Sequence, residues 1–554
     1  MSIFSSIPVK KPRRNKFRLN HNVKQSQNFG ELVPFLGIDM VPGDKFNIQA
    51  DVLTRMAPLV TPLYQDIQVR VDFFFVPYRL IWDNFETFIG RGKDGTGTVN
   101  GVEVIHPYLA VPNPNDFDIK MFDDGTLADY LGYPATLGQY LVNTNPDNPD
   151  SKKYPRISSL PFRVYQQIWN DYYRDENLSN EIEINKGDGA EGIDYSNMSN
   201  YQLKHRAYKK DYFTAALPDP QRGSEVQLPI GGSAPVRFTG DGHTLWRGDT
   251  SNATVGNPIV RNALTDDVTM PNKHTNSASD STNSYVHIDN SSDLEVDLSQ
   301  ATMTTVNELR TALRVQEWLE KSARGGYRYI EQIFSHFGVR SSDARLQRAQ
   351  YLGGGKTPIV ISDVLQTSST DQQSPQGNMS GQGVGVARSN SIRYYAEEHG
   401  YLMGIISILP GASYYQGVPR KLLKETFLDY YWPEFAHLGE QEIKNSELYL
   451  QDDIGSLDEN TGTFGYTPRY AEYKYIPSTI HGDFRNNPSL NKWYLSRRFN
   501  GTPALNESFI TCKPDQNNQA IFAITDKDVD KFYNLIDVKI TAVRPMPYYG
   551  VPSF

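Results

Sequence analysis

The chain has 554 residues, 38% of them hydrophobic and 21% charged, with a formal net charge of -9. A single cysteine, Cys512, excludes an intrachain disulfide and with it a disulfide-stapled secreted protein. The most apolar stretch, 401–409, is too short to span a bilayer, and the basic N-terminus lacks the apolar run of a secretory signal.

Residues 1–30 contain seven basic residues, Lys10, Lys11, Arg13, Arg14, Lys16, Arg18 and Lys24, and no Asp or Glu. Residues 31–554 therefore carry -16. A cationic arm on an acidic body predicts a polyanionic partner held by the arm; the plainer alternative is a solvated terminus. Pro8 and Pro12 oppose helix, so the arm reads as extended, with order expected to begin near Leu32.

Phe46, Ile48, Ala50 and Val52 alternate with polar residues, as do Ile67, Val69, Val71, Phe73 and Phe75 before Pro77. Both runs predict strands with one buried face. A Gly-rich turn at 90–101 and Pro-rich connections lead to a helical pattern over 162–174. Residues 180–300 are polar and poor in clustered apolar residues, and read as a long insertion. Thr305-Val306-Asn307-Glu308 has the form of a capping box, opening a helix with Val306, Leu309, Leu313 and Leu319 on its apolar side. Gly325-Gly326 stops it, and a second helix over 327–337 ends at Gly338. Residues 402–409 predict a strand buried on both faces, and Ile536, Val538, Ile540 and Ala542 mark a last alternating strand. Strands at both ends of the chain, with long insertions between, predict a mainly β sandwich. The proposed core is Phe46, Ile48, Val69, Val71, Phe73, Ile406, Ile408, Val538 and Ile540.

Most chemical motifs fail on spacing. Gly353-Gly354-Gly355-Lys356-Thr357 ends like a phosphate loop, but Gln350 stands where its first glycine belongs, so a flexible turn is expected. Asp116, Asp118, Asp123, Asp124 and Gly125 resemble a calcium loop without its closing Glu; they read as a solvated acidic loop, the alternative being a divalent ion between subunits. Arg247-Gly248-Asp249 reads as a turn. No zinc spacing, nucleophile elbow or paired catalytic groups emerge, so no catalytic residue, metal ligand or cofactor is assigned. The segment 464–475 interleaves aromatic and basic residues. Base stacking is one reading of it; burial against a neighbouring subunit is favoured, with Tyr466, Arg469, Tyr470, Tyr473 and Tyr475 as candidate contacts.

The ordered set Ala323-Arg324-Gly325-Gly326, Ser335-His336-Phe337-Gly338-Val339, Asp343-Ala344-Arg345-Leu346-Gln347-Arg348 and Tyr351-Leu352-Gly353-Gly354 resembles the major capsid proteins of Microviridae, most of all their gokushovirus-like branch. So do Asp72-Phe73-Phe74-Phe75-Val76-Pro77, the segment 464–475 and His481-Gly482-Asp483-Phe484. The resemblance spans nearly the whole chain and is weak at 180–300. It implies a viral jelly roll of eight antiparallel strands with long loop insertions, and a T=1 icosahedral shell around circular single-stranded DNA. It also implies a large insertion projecting at the three-fold axes, a small basic packaging protein, a DNA pilot protein, a host receptor, assembly in the bacterial cytoplasm, and no catalytic residues. The expected organisation is an arm at 1–30, the first part of the jelly roll at 31–179, the insertion at 180–300, and a helical segment with the remaining strands at 301–554. The competing function is a carbohydrate-binding or carbohydrate-cleaving β-sandwich, suggested by the many aromatic and acidic residues.

Overall fold

The computed structural model describes residues 13–93, 95–144, 155–223, 306–326, 328–367, 376–526 and 528–549, and short pieces between 226 and 296. The chain divides into two compact units, Met1–Pro220 with Ser322–Phe554, and Gln221–Lys321.

Eleven strands build the two main sheets of the first unit. They are β1 Asn15–Arg18, β2 His21–Gln27, β3 Val33–Met40, β4 Lys45–Met56, β5 Ile67–Pro77, β6 Gln350–Pro358, β7 Val360–Leu365, β8 Met379–Arg388, β9 Ile392–Tyr395, β10 Gly400–Pro410 and β11 Phe532–Arg544. One sheet runs β1-β11-β4-β8-β7, with β2 also on β11 and β9 also on β4; the other runs β6-β5-β10-β3. Every pairing within them is antiparallel. The pairings are nested: β2 lies beside β11, β3 beside β10, β4 beside β8 and β5 beside β6. A long hairpin folded over on itself in this way is a jelly roll.

The core lies between the sheets. All nine residues proposed for it from the sequence are at most 1% exposed and belong to one apolar cluster. On β4 and β11 the other face is more exposed and carries most of their polar residues, which explains their period-two pattern. On β5 and β10 both faces are covered. Phe73 and Phe75 point into the sandwich, while Phe74, Val76, Met403 and Ile405 pack under the insertion that follows β5. Helix Leu160–Ile168, extended by a π turn at Trp169–Tyr173, supplies much of that cover through Phe162, Tyr165 and Trp169. A second insertion, between β10 and β11, forms its own apolar cluster with Tyr212 and Phe213.

Several expectations change. Order begins at Asn15 among the described residues, well before Leu32, because β1 and β2 both hydrogen-bond to β11, and Phe17 and Val23 face the sandwich there. Segment 350–358 is strand β6, neither turn nor phosphate loop. Its glycines let chains meet closely: a Cβ on Gly354 would sit 2.1 Å from the Val71 carbonyl oxygen. Residues 181–220 belong to the first unit, where Ile182, Ile193, Met198 and Tyr201 are buried, so the second unit opens at Gln221 rather than 180. Within that unit Val236–Phe238 pairs Leu294–Val296, Trp246–Asp249 pairs Tyr285–Ile288, and Val260–Arg261 pairs Val268–Thr269. Arg247-Gly248-Asp249 thus lies in a strand rather than in a turn. Thr305 and Tyr327, and with Thr305 the capping box, lie outside the described residues. Helix Val306–Gly325 forms as expected, and Gly326 (φ +96°) follows it. Val306, Leu309 and Leu313 on its apolar side are exposed.

Candidate nucleic-acid interface

Antiparallel partners place their side chains on the same sheet face, so register fixes the composition of each face. On β11 the residues Phe532, Asn534, Ile536, Val538, Ile540 and Ala542 are buried in the sandwich. The outward positions are Tyr533, Leu535, Asp537, Lys539, Thr541 and Val543. Lys16 and Arg18 of β1 pair with Val543 and Thr541, and Lys24 of β2 pairs with Leu535. Across β11, Lys45 pairs with Val543 and Arg55 with Tyr533. Arg388 then pairs with Asp51, and Arg393 with Asn47. Eight cations thus share one sheet face: Lys16, Arg18, Lys24, Lys45, Arg55, Arg388, Arg393 and Lys539. Two carboxylates, Asp51 and Asp537, stand among them.

In a chain of net charge -9 this is a strong local reversal of sign. Lys16, Arg18, Lys24, Lys45, Arg55, Arg388 and Arg393 are exposed. Asp51 accepts from Arg388 and Lys539 at 2.7 Å each. Those bonds, first that from Arg388, hold its carboxyl down to about 2, so it stays charged. Aromatic rings lie among the cations. Tyr395 is exposed, with Arg14 5.9 Å and Lys45 5.7 Å from its ring centre. Tyr533 is exposed beside Arg55. Cations that track a backbone and flat rings that stack on bases are the two parts of a single-strand surface.

Of the seven arm residues singled out from the sequence, Lys10 and Lys11 lie outside the described residues. Arg13, Arg14, Lys16, Arg18 and Lys24 are exposed, and the last three lie on this face. Lys45, Arg55, Arg388, Arg393 and Lys539 escaped sequence reasoning because they come from four distant strands. The signal was present only in part: each occupies a polar position of an alternating run.

A family profile described as capsid protein (F protein) matches residues 5–554. The chain belongs to the F capsid-protein family. Capsid protein VP1 of Chlamydia phage 1 is 34% identical to it, over 99% of this chain and 97% of the relative. Capsid protein VP1 of Bdellovibrio phage phiMH2K is 35% identical over 99% and 97%. Capsid protein VP1 of Spiroplasma virus 4 is 30% identical over 98% and 95%.

A capsid protein of this family also needs surfaces for its neighbours. The aromatic segment 464–475 divides in this respect. Tyr466 sits in strand Thr463–Pro468, half-buried, and its backbone pairs with Leu217. Tyr470 is 2% exposed and donates its hydroxyl to the Leu428 carbonyl, so it packs inside the subunit. Arg469 lies 5.1 Å from that ring. Tyr473 and Tyr475 are exposed, and Lys424 lies 4.0 Å from the Tyr473 ring centre. Around them Phe427, Tyr430, Tyr431 and Trp432 are more than half exposed. The acidic loop uses its own carboxylates: Asp118 accepts from the Lys120 amide at 3.0 Å. No group of metal-ligating side chains occurs among the described residues, and no described helix is long and apolar enough to cross a membrane.

Proposed function

We propose that this capsid protein assembles into a T=1 icosahedral shell around a circular single-stranded DNA genome, with the β1-β11-β4-β8 sheet face turned inward against the DNA. The observation that carries this reading is the collection of eight cations and two exposed tyrosines on one face of an acidic chain. The basic arm, with Lys10 and Lys11, serves as a tether to the genome. The role is structural, with no chemistry performed. A small basic packaging protein and a DNA pilot protein are the further virion partners, and assembly takes place in the bacterial cytoplasm.

Contacts between subunits are assigned to the exposed rings Tyr473, Tyr475, Phe427, Tyr430 and Trp432, which supply rigid amphipathic area. Arg469 and Tyr470 support that surface from behind. The polar unit Gln221–Lys321 is assigned to the particle exterior, at the three-fold axes, for attachment to a host receptor.

The test is the salt dependence of single-stranded DNA binding. Each cation that meets a phosphate contributes about -0.7 to the slope of log affinity against log salt. Replacing Lys16, Arg18, Lys45 and Arg393 by Ala is expected to flatten the slope by roughly 2–3. An unchanged slope contradicts the reading.

A further inference from the structure

We infer that Glu176 and Glu331 share one proton and form a pH-sensitive latch, which holds helix Tyr329–Phe337 against the segment after the π turn and releases it as that proton is lost. Both residues belong to the first unit. Glu176 lies just beyond the π turn at Trp169–Tyr173, and Glu331 lies in the first turn of the helix. They line one groove of about 520 Å³. Their side chains are 8% and 35% exposed, and the two carboxyl groups are within hydrogen-bond reach of each other. Arg328 serves both: its Nε lies 2.8 Å from Glu176 Oε1, and its Nη1 lies 3.8 Å from Glu331 Oε1. The same guanidinium donates to the carbonyls of Asn170 and Arg174, which fixes it in place.

One cation set between two carboxylates leaves a negative charge for a proton to neutralise. Other charged groups around the groove have partners of their own among the described residues: Lys210 with Asp175 at 3.6 Å, Arg206 with Asp72 at 3.5 Å, Arg174 with Glu181 at 3.8 Å, and Arg324 with Glu440. Asp171 accepts from Gln167 and from the Ala349 amide. Two adjacent carboxylates repel when both are ionised, so one keeps a proton and donates it to the other. Burial, and after it the Glu176 carboxyl, push the Glu331 carboxyl up to about 7 against the pull of Arg328. In the released helix that carboxyl returns to its ordinary 4.5. The latch is therefore complete below about pH 4.5 and is lost as pH rises through about 7. Little apolar packing opposes release, since no residue of the helix is buried and Tyr329, Phe334 and Phe337 are exposed. Gln332 and His336 tie the helix to Ser322 of the preceding helix, at 3.2 and 3.1 Å, and not to the segment that carries Glu176.

The test is amide hydrogen exchange of the full-length protein at pH 5.5 and pH 8, read by mass spectrometry and corrected for the intrinsic pH dependence of exchange. Peptides from β4 and β11 report global unfolding in the same samples. In the native protein, peptides within 328–339 are expected to lose protection at least about ten-fold between the two pH values, beyond any change in β4 and β11. Glu331→Gln keeps a donor for Glu176 and cannot ionise, so it is expected to remove that change and to protect the helix at pH 8. Glu176→Gln is expected to shrink the change in the same way. Thermal melting at pH 5.5 checks that each variant folds, and should one melt early the other decides. Native exchange over 328–339 that does not vary with pH overturns the latch. So does a pH response that persists in both variants, which would assign it to another group such as His336.

Discussion

Asp51 and Lys539 form an ion pair of 2.7 Å in the middle of the cationic face, and Arg388 closes on the same carboxylate. The pair holds two cations flat on the sheet and competes with any phosphate for them. Asp51→Asn is therefore expected to raise affinity for single-stranded DNA several-fold at low salt and to steepen the salt slope, as two more cations become available. The pH dependence follows from the lowered Asp51 carboxyl. Between about pH 2 and the ordinary carboxylate range the unfolded chain binds the extra proton, so stability rises with pH there. The contribution is complete above about pH 4 and is lost as pH falls through about 2. Acid titration of subunit stability, native against Asp51→Asn, measures it.

Glu31 shows the opposite sign. Burial, before any other influence, pushes its carboxyl up to about 7, against the bond it accepts from the Asn28 amide at 2.7 Å. Between about pH 4.5 and 7 the folded chain holds the proton and the unfolded chain does not, so stability falls as pH rises through that window. Glu31→Gln is expected to remove this slope and to raise stability at pH 8 by at most about 3 kcal/mol. Denaturant melts at pH 5 and pH 8 provide the comparison.

Arg163 and Glu191 are both 1% exposed and meet at 2.7 Å, beneath the insertion that covers β5 and β10. Tyr201 donates a second bond to Glu191 at 2.5 Å, and Arg163 also donates to the carbonyls of Ile81 and Gly187. Removing one member strands the other in an apolar site. Glu191→Ala is expected to cost about 3–5 kcal/mol, read by urea unfolding of the purified subunit.

Cys512 is buried, and that burial pushes its thiol up to about 12. A buried neutral thiol is a poor nucleophile. Native protein is expected to resist a disulfide reagent such as DTNB, and denatured protein to react at one thiol per chain.

The fold was legible where burial is one-sided or complete. On β4, β5 and β11 the side-chain period of two shows directly, and the Ile-rich run of β10 shows cover on both faces. β1 and β2 escaped notice because Phe17, Leu19 and Val23 alternate among so many cations that charge dominates the pattern. β6 escaped because glycines usually mark turns; here they permit close approach of Val71 and Arg388, which only the tertiary structure reveals. The cationic face was legible in its N-terminal part alone. Lys45, Arg55, Arg393 and Lys539 are far apart in the chain, and it takes the nested register of a jelly roll to bring them together.

The unit Gln221–Lys321 carries the host-range prediction. Exchanging it between related phages is expected to transfer adsorption, scored by binding of particles to each host. Adsorption that instead follows another virion protein rules the assignment out.

The most direct test of the central claim is ultraviolet crosslinking of genome to protein inside intact particles, followed by mass spectrometry of the nucleotide-bearing peptides. The predicted adducts fall on residues 13–27, 45–55, 388–395 and 533–543, with Tyr395 and Tyr533 the leading sites. Adducts confined to 422–438, 464–476 or 221–321, with none on the cationic face, would contradict it.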